Sequence, residues 1–462
     1  MTSAKALWAF ALFSACIFLL GGGGRADILS VGPLRAIAAV FLALAIFYQT
    51  KASWRNVAVP VVFLALLALW MALQLIPLPV SWWSSLPGRS VIRELDEAIG
   101  IAGTWRPITL STMKTANSLA SLVVPLATLM IVSLFDEKAW QRSLWIVIIT
   151  GVASTLLGVA QVTLRGSPGL YLYEITNPGS AVGLFSNKNH NGIFLAIALL
   201  FALFRTERIK WPDLTPADVF TLLAVIVLVS GMALNGSRTA FGCLVIVGLV
   251  TAVRTFAARS SAAAQSAGRL RYFVGIAMGT VAVALLGVFT ILGRNEAVSS
   301  LFADDVGQDL RFTTFPYVTM LARDYQPFGA GFGAFEHAYQ MVEPTALMTS
   351  RYFNQAHDDW LQLPIEGGLP AIVILVLFLV AVSLRLRIIA KREGDSRVAR
   401  DNAWLGAATL LIFAGASVFD YPLRTPSLML VAAMATAMLF RKTAANRPAL
   451  LVEAGGNSRK AR

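Results

Sequence analysis

The chain has 462 residues, of which 57% are hydrophobic and only 14% charged, with a net charge of +13. A soluble protein of this size carries about 25% charged residues, so composition excludes an ordinary soluble enzyme and indicates a polytopic membrane protein. The basic surplus lacks the interleaved aromatic patches of a nucleic-acid surface, and no nucleic-acid partner is expected.

A bilayer span needs about 20 mostly apolar residues. In chain order, spans are expected near 6–21, 33–48, 57–76, 117–135, 143–162, 191–204, 217–234, 239–256, 272–292, 368–386, 403–419 and 425–440. The first run has no small-residue cleavage site and reads as a retained span. Alternating sides from a cytoplasmic N-terminus puts most of the 38 Lys and Arg inside and most of the 25 acids outside. The positive-inside rule selects this orientation, with both termini cytoplasmic. The expected fold is an all-α polytopic membrane protein with about 12 transmembrane helices. Residues 1–292 carry spans one to nine, 293–367 a long outer loop, 368–440 spans ten to twelve, and 441–462 a cytoplasmic tail. Cys16 and Cys243 fall within apolar runs and read as small packing residues.

Three outer segments exceed a simple turn: 77–116, 163–190 and 293–367. The first has Trp82, Trp83 and Trp105, as in an interfacial belt. The second ends in GLFSNKNHNG. The third is polar, aromatic and charged, and long loops on a rigid scaffold often carry function.

Four features on this side could carry chemistry. Arg238 closes the four-residue connection Asn235–Arg238, so it sits at the membrane boundary. It is either a snorkelling helix-end arginine or an anion ligand facing the bundle. Arg311 stands among aromatics and is either paired with Asp305 or Asp309 or free to bind an anion. The run PFGAGFG over 327–333 lacks the Lys-Ser/Thr of a phosphate loop and reads as a tight backbone turn. His357, in NQAHDDWLQ, stands where the chain re-enters the bilayer. It is either a structural histidine capping the loop or a general base, with Asp358, Asp359 or neither as its partner. His190 and His337 are secondary candidates. The three histidines have no zinc-site spacing, so no metal and no cofactor are expected.

Arg238, Arg311 and His357 fall on one side under a topology derived without them. Arginine suits phosphate, because its planar fork stays charged and donates two hydrogen bonds. A lipid-linked diphosphate would set its anion at this interface and its tail in the bilayer. No DxD-type metal motif is present, so arginines would supply the charge stabilisation.

These residues resemble the O-antigen ligase/polymerase family of bacterial inner-membrane proteins. The resemblance rests on Gly236-Ser237-Arg238, Arg311 ahead of the glycine turn, His357-Asp358-Asp359-Trp360-Leu361 and Glu366-Gly367-Gly368. GLFSNKNHNG and Asp420-Tyr421-Pro422-Leu423-Arg424 are similar to the family too; where it usually has His-Asn, this chain has His357-Asp358. The resemblance implies a metal-independent, inverting, GT-C-like glycosyltransferase with a periplasmic active site. Its donor would be an undecaprenyl-diphosphate-linked glycan and its acceptor a hydroxyl of lipid A–core or another glycan. His357 would be the base, and Arg238 and Arg311 would bind the diphosphate. Arg351, Lys188 and Arg424 would add phosphate or sugar contacts. A polymerase extending a lipid-linked repeat unit is the alternative. A transporter or flippase would place charges near the bilayer midplane, where this chain has few.

Overall fold

The computed structural model describes residues 1–25, 28–164, 167–209, 213–258, 306–348, 353–391 and 397–441, with the backbone alone at 256–258, 306–312 and 397. The helices are α1 (Ser3–Leu20), α2 (Val31–Phe47), α3 (Lys51–Leu73), α4 (Val80–Trp83), α5 (Ser90–Ala98), α6 (Thr112–Ser121), α7 (Val123–Val132), α8 (Glu137–Thr163), α9 (Lys188–Thr206), α10 (Pro216–Asn235) and α11 (Arg238–Ala258). They continue as α12 (Val306–Asp324), α13 (Phe335–Gln340), α14 (Asp359–Ala390), α15 (Arg397–Ala416) and α16 (Pro426–Phe440). The described strands are Pro77–Leu78 and Arg106–Pro107, which pair antiparallel.

The chain is an all-α polytopic membrane protein. Among the described residues, 8 helices are long and apolar enough to cross a bilayer, counting α6 and α7 as one, and α2 and α16 are shorter apolar helices. Helices coincide with every expected span except 272–292, which lies outside the described residues, as does the tail beyond Arg441. Leu66 and Leu69 on α3, and Val376, Val380 and Leu384 on α14, are exposed. Such apolar faces are a liability in water and the expected surface in lipid.

The helix α9 is different. Every residue from His190 to Phe204 is buried. It packs against α8, α10, α11 and α15, so its neighbours are protein. This explains why its apolar run is short and its mean hydropathy of 1.2 low for a span.

Hydrogen bonds gather the predicted outer segments at one end of the bundle, the loop end. The Gly22 N–H donates to Tyr173 Oη, and the Ser427 N–H to the Gly21 carbonyl. Thr115 Oγ1 donates to the Phe332 carbonyl, and Trp70 Nε1 to the Gly367 carbonyl. The buried Gln74 amide donates to the carbonyls of Phe328 and Glu366 and accepts from the Phe332 N–H. The long loop is thus sewn onto α3 and the 77–116 segment. Its own core holds Val318, Leu321, Tyr325, Phe335, Tyr339 and Ile365. Trp83, expected at the interface, is buried and donates to the Pro107 carbonyl, whereas Trp82 and Trp105 are exposed.

Candidate functional site

His357 is the one non-glycine residue with positive φ, at 53°, among the described residues. That conformation costs about 1–2 kcal/mol and persists only where surroundings impose it. The segment before His357 is tied down by Gln362, fully buried one turn into α14. Its Oε1 accepts the Ala356 N–H at 2.9 Å, and its Nε2 donates to Glu366 Oε1 at 2.8 Å and to Gln355 Oε1. The His357 ring is flanked by Tyr421 and Phe353, with centroids 5.1 and 5.9 Å away.

Both adjacent acids are engaged at the entrance to α14. Asp358 is the N-cap of α14, and its Oδ1 accepts the N–H groups of Trp360 and Leu361. Asn caps as well as Asp, which gives the His-Asp departure from His-Asn a physical reading. Asp359 faces Arg424, whose Nε lies 3.3 Å from its Oδ1.

The acid beside His357 is Asp420, from the corner between α15 and α16. Its Oδ1 is 4.0 Å from His357 Nδ1 and 3.6 Å from His190 Nε2. Asp420 is 0% exposed and His190 1%. His190 Nδ1 and Thr425 Oγ1 share a 2.8 Å hydrogen bond, which fixes the ring. Burial alone would raise the Asp420 carboxyl; His190, His357 and the Tyr421 N–H outweigh it and hold the pKa well below the usual carboxylate range. One carboxylate therefore lies between two imidazoles from α9 and the long loop.

Arg424 is held between carboxylates, with Nη2 3.0 Å from Glu366 Oε2. Burial lowers its pKa, but Glu366 and Asp359 outweigh this and raise it, so it is fully charged. The same Glu366 anchors the glycine turn. The Gly331 N–H donates to its carbonyl and the Ala330 N–H to that of Ile365. Gly329 has φ +79°, and a Cβ there would lie 2.4 Å from the Glu366 carbonyl oxygen. The PFGAGFG run is thus a docking turn against the kink of α14 at Gly368.

Arg238, half-buried, opens α11 after Gly236, which has φ 62°. Ser237 Oγ donates to Asn189 Oδ1, and Asn235 Nδ2 to the carbonyls of Lys188 and Ala181. The α10–α11 turn is therefore tied to the start of α9, two residues from His190. Lys188 and Arg238 share that junction. Arg311 lies near the start of α12, but its side chain is outside the described residues, and so is all of Arg351. His337 lies on α13 within the loop's own packing.

A cavity of about 980 Å³ runs from this loop end along α3, α14, α15 and α16. Its polar lining includes Arg25, Arg35, Lys114, Glu336, Gln355, Asp359 and Arg424. The rest of the lining is largely apolar, with Met71, Leu379, Val382, Leu411 and Met429, and includes Arg254, which pairs with Glu207.

Residues 222–376 match a family model described as O-antigen ligase. Over that stretch the chain is O-antigen ligase-like. No curated protein matches it. The O-antigen ligase-like stretch contains Arg238, Arg311 and His357 and stops before Asp420 and Arg424. His190 also lies outside it, so the imidazole–carboxylate–imidazole group joins the matched stretch to the rest of the chain. Sequence reasoning ranked His190 low and did not pair Asp420 with His357. The signals available were the polar NKNHN entrance to α9 and an acid in a corner flanked by apolar spans.

Proposed function

We propose that this chain is a glycosyltransferase of the O-antigen ligase type, acting at the periplasmic face of the bacterial inner membrane. It moves a glycan from undecaprenyl diphosphate to an acceptor hydroxyl, with lipid A–core as acceptor. The observation that carries the reading is the His357–Asp420 pair, 4.0 Å apart, on an α-helical membrane scaffold beside a long apolar cavity.

The chemistry follows from that pair. An Nδ1–H of His357 facing the carboxylate leaves Nε2 to take a proton. Nε2 accepts the acceptor hydroxyl's proton as that oxygen attacks the anomeric carbon. The bond from that carbon to the diphosphate oxygen breaks, and its electron pair leaves with the diphosphate. Attack opposite the leaving group inverts the centre. Asp420 stabilises the imidazolium that forms. Arg238 and Arg311 neutralise the diphosphate, and Lys188 and Arg351 supply further contacts. Arg424, already paired with two carboxylates, holds the loop in place. The cavity accommodates polyprenyl chain, and the helical scaffold suits a GT-C-like enzyme.

The test is transfer in proteoliposomes containing the full chain, lipid-linked donor and acceptor. His357→Ala should abolish transfer while the protein inserts and elutes normally; normal transfer by that variant would overturn the base assignment. Deleting the gene separates ligase from polymerase. Accumulated long lipid-linked polymer indicates a ligase, and accumulated single repeat units indicate a polymerase.

A further inference from the structure

We infer that Arg35, clamped by Asn117, is a phosphate anchor for a lipid-borne substrate entering the cavity. The inference rests on the transfer reading above and adds a binding residue from α2, far in sequence from Arg238 and His357.

Most of the charge inside the cavity is paired. Lys114 lies 3.6 Å from Glu336, and Arg424 is paired with Asp359 and Glu366. Arg35 lines the same space on the second turn of α2, and among the described residues no carboxylate pairs with it. Its Nη2 donates to Asn117 Oδ1 at 2.7 Å and to the Asn117 carbonyl at 2.9 Å. Those two bonds use both hydrogens of Nη2 and fix the guanidinium plane. Nε and Nη1 keep their donors for something else.

A carbonyl clamp orients an arginine without neutralising it. A carboxylate partner would have done both. An uncompensated guanidinium next to apolar helix faces is costly unless an anion meets it. Phosphate fits best, because two oxygens can take two parallel N–H bonds. The neighbouring lining says the anion comes on a lipid. The apolar wall of the same cavity includes Leu67, Met71, Leu122, Leu379 and Met429, which suits acyl or prenyl chain and not a free ion. Gly24 and Arg25, in the preceding loop, add to the polar lining. A Cβ on Gly24 would lie 3.3 Å from Thr425 Oγ1 and 3.7 Å from His190 Cε1, so this loop also abuts the histidine site. A phosphate at Arg35 would thus enter a cavity that reaches the proposed chemistry.

Both substrates of the proposed reaction carry lipid-borne phosphate, the donor as a diphosphate and lipid A as its phosphate esters. The experiment separates them. Undecaprenyl diphosphate, lipid A and phosphatidylglycerol are each titrated into the full-length protein in detergent micelles, with binding read by tryptophan fluorescence. Arg35→Gln should weaken binding of undecaprenyl diphosphate or of lipid A by about tenfold or more, which identifies the source, and Arg35→Lys should recover part of it. Asn117→Ala, which leaves the charge and frees the side chain, should weaken the same ligand less. Wild-type affinity of Arg35→Gln for both substrate lipids would overturn the inference, as would an equal loss for phosphatidylglycerol, which would mark a general bilayer contact. Transfer by His357→Ala tests the base assignment separately, so the two readings fail on different measurements.

Discussion

Replacing Asp420 by asparagine should slow transfer sharply while preserving shape. The carboxylate oxygen is 4.0 Å from His357 Nδ1. Unit charges at that separation interact by about 4 kcal/mol at an effective dielectric constant of about 20. In the proposed reaction His357 becomes positive only as the acceptor proton arrives, so the interaction favours the transition state over the ground state. Each 1.36 kcal/mol is about tenfold in rate, so full charge development makes the loss about 10³-fold and half development about 30-fold. The effect should fall on kcat. Asp420 is fully buried against histidines, so KM for donor and acceptor should change little. Initial rates in proteoliposomes across donor concentrations measure both. A folded Asp420→Asn protein with wild-type kcat would refute the reasoning, and a change confined to KM would move Asp420 from proton transfer to substrate binding.

His190→Phe should keep the core filled but remove the hydrogen bond to Thr425, at a cost of about 1–2 kcal/mol in stability, and reduce kcat by less than Asp420→Asn does; unchanged melting and rate would exclude a positioning role. His357→Gly and His357→Ala should both be inactive, yet the glycine variant should be more stable by about 1 kcal/mol, because φ 53° penalises a Cβ; equal melting temperatures would remove the claim of strain. Gly329→Ala should destabilise the fold by more than about 2 kcal/mol, since the new Cβ meets the Glu366 carbonyl at 2.4 Å, and near-native thermal unfolding would contradict the docking-turn assignment. The stability that Asp420 contributes follows from its depressed pKa. It is present above the unfolded carboxyl value of about 3.9 and lost as pH falls through the lower folded value. The melting difference between wild type and Asp420→Asn should therefore shrink as pH falls below about 4.

Composition made the helical scaffold legible, because spans exposed to lipid must be apolar along their length. It gave α9 only the short run 191–204, since a helix wrapped in protein need not be apolar in the same way. Arg238 and His357 were legible as charged or titratable residues at helix starts. The partner of His357 was not. Adjacency pointed to Asp358 and Asp359, but at the entrance to α14 the first caps the helix and the second turns to Arg424. Asp420 meets His357 only because α15 and α16 bring their corner back beside the loop. The glycine turn was legible as a turn; its docking partner, Glu366, required the fold. Arg35 carried no signal, since its meaning depends on Asn117 and on the acids that fail to reach it.

The buried Asp420 also sets when the site can assemble. The histidines it joins belong to α9 and to the loop before α14, both of which emerge from the ribosome earlier. Until the corner between α15 and α16 is inserted, His190 and His357 have no shared carboxylate. A nascent chain halted before residue 420 would hold every element of the matched stretch and still lack the group that links its two imidazoles.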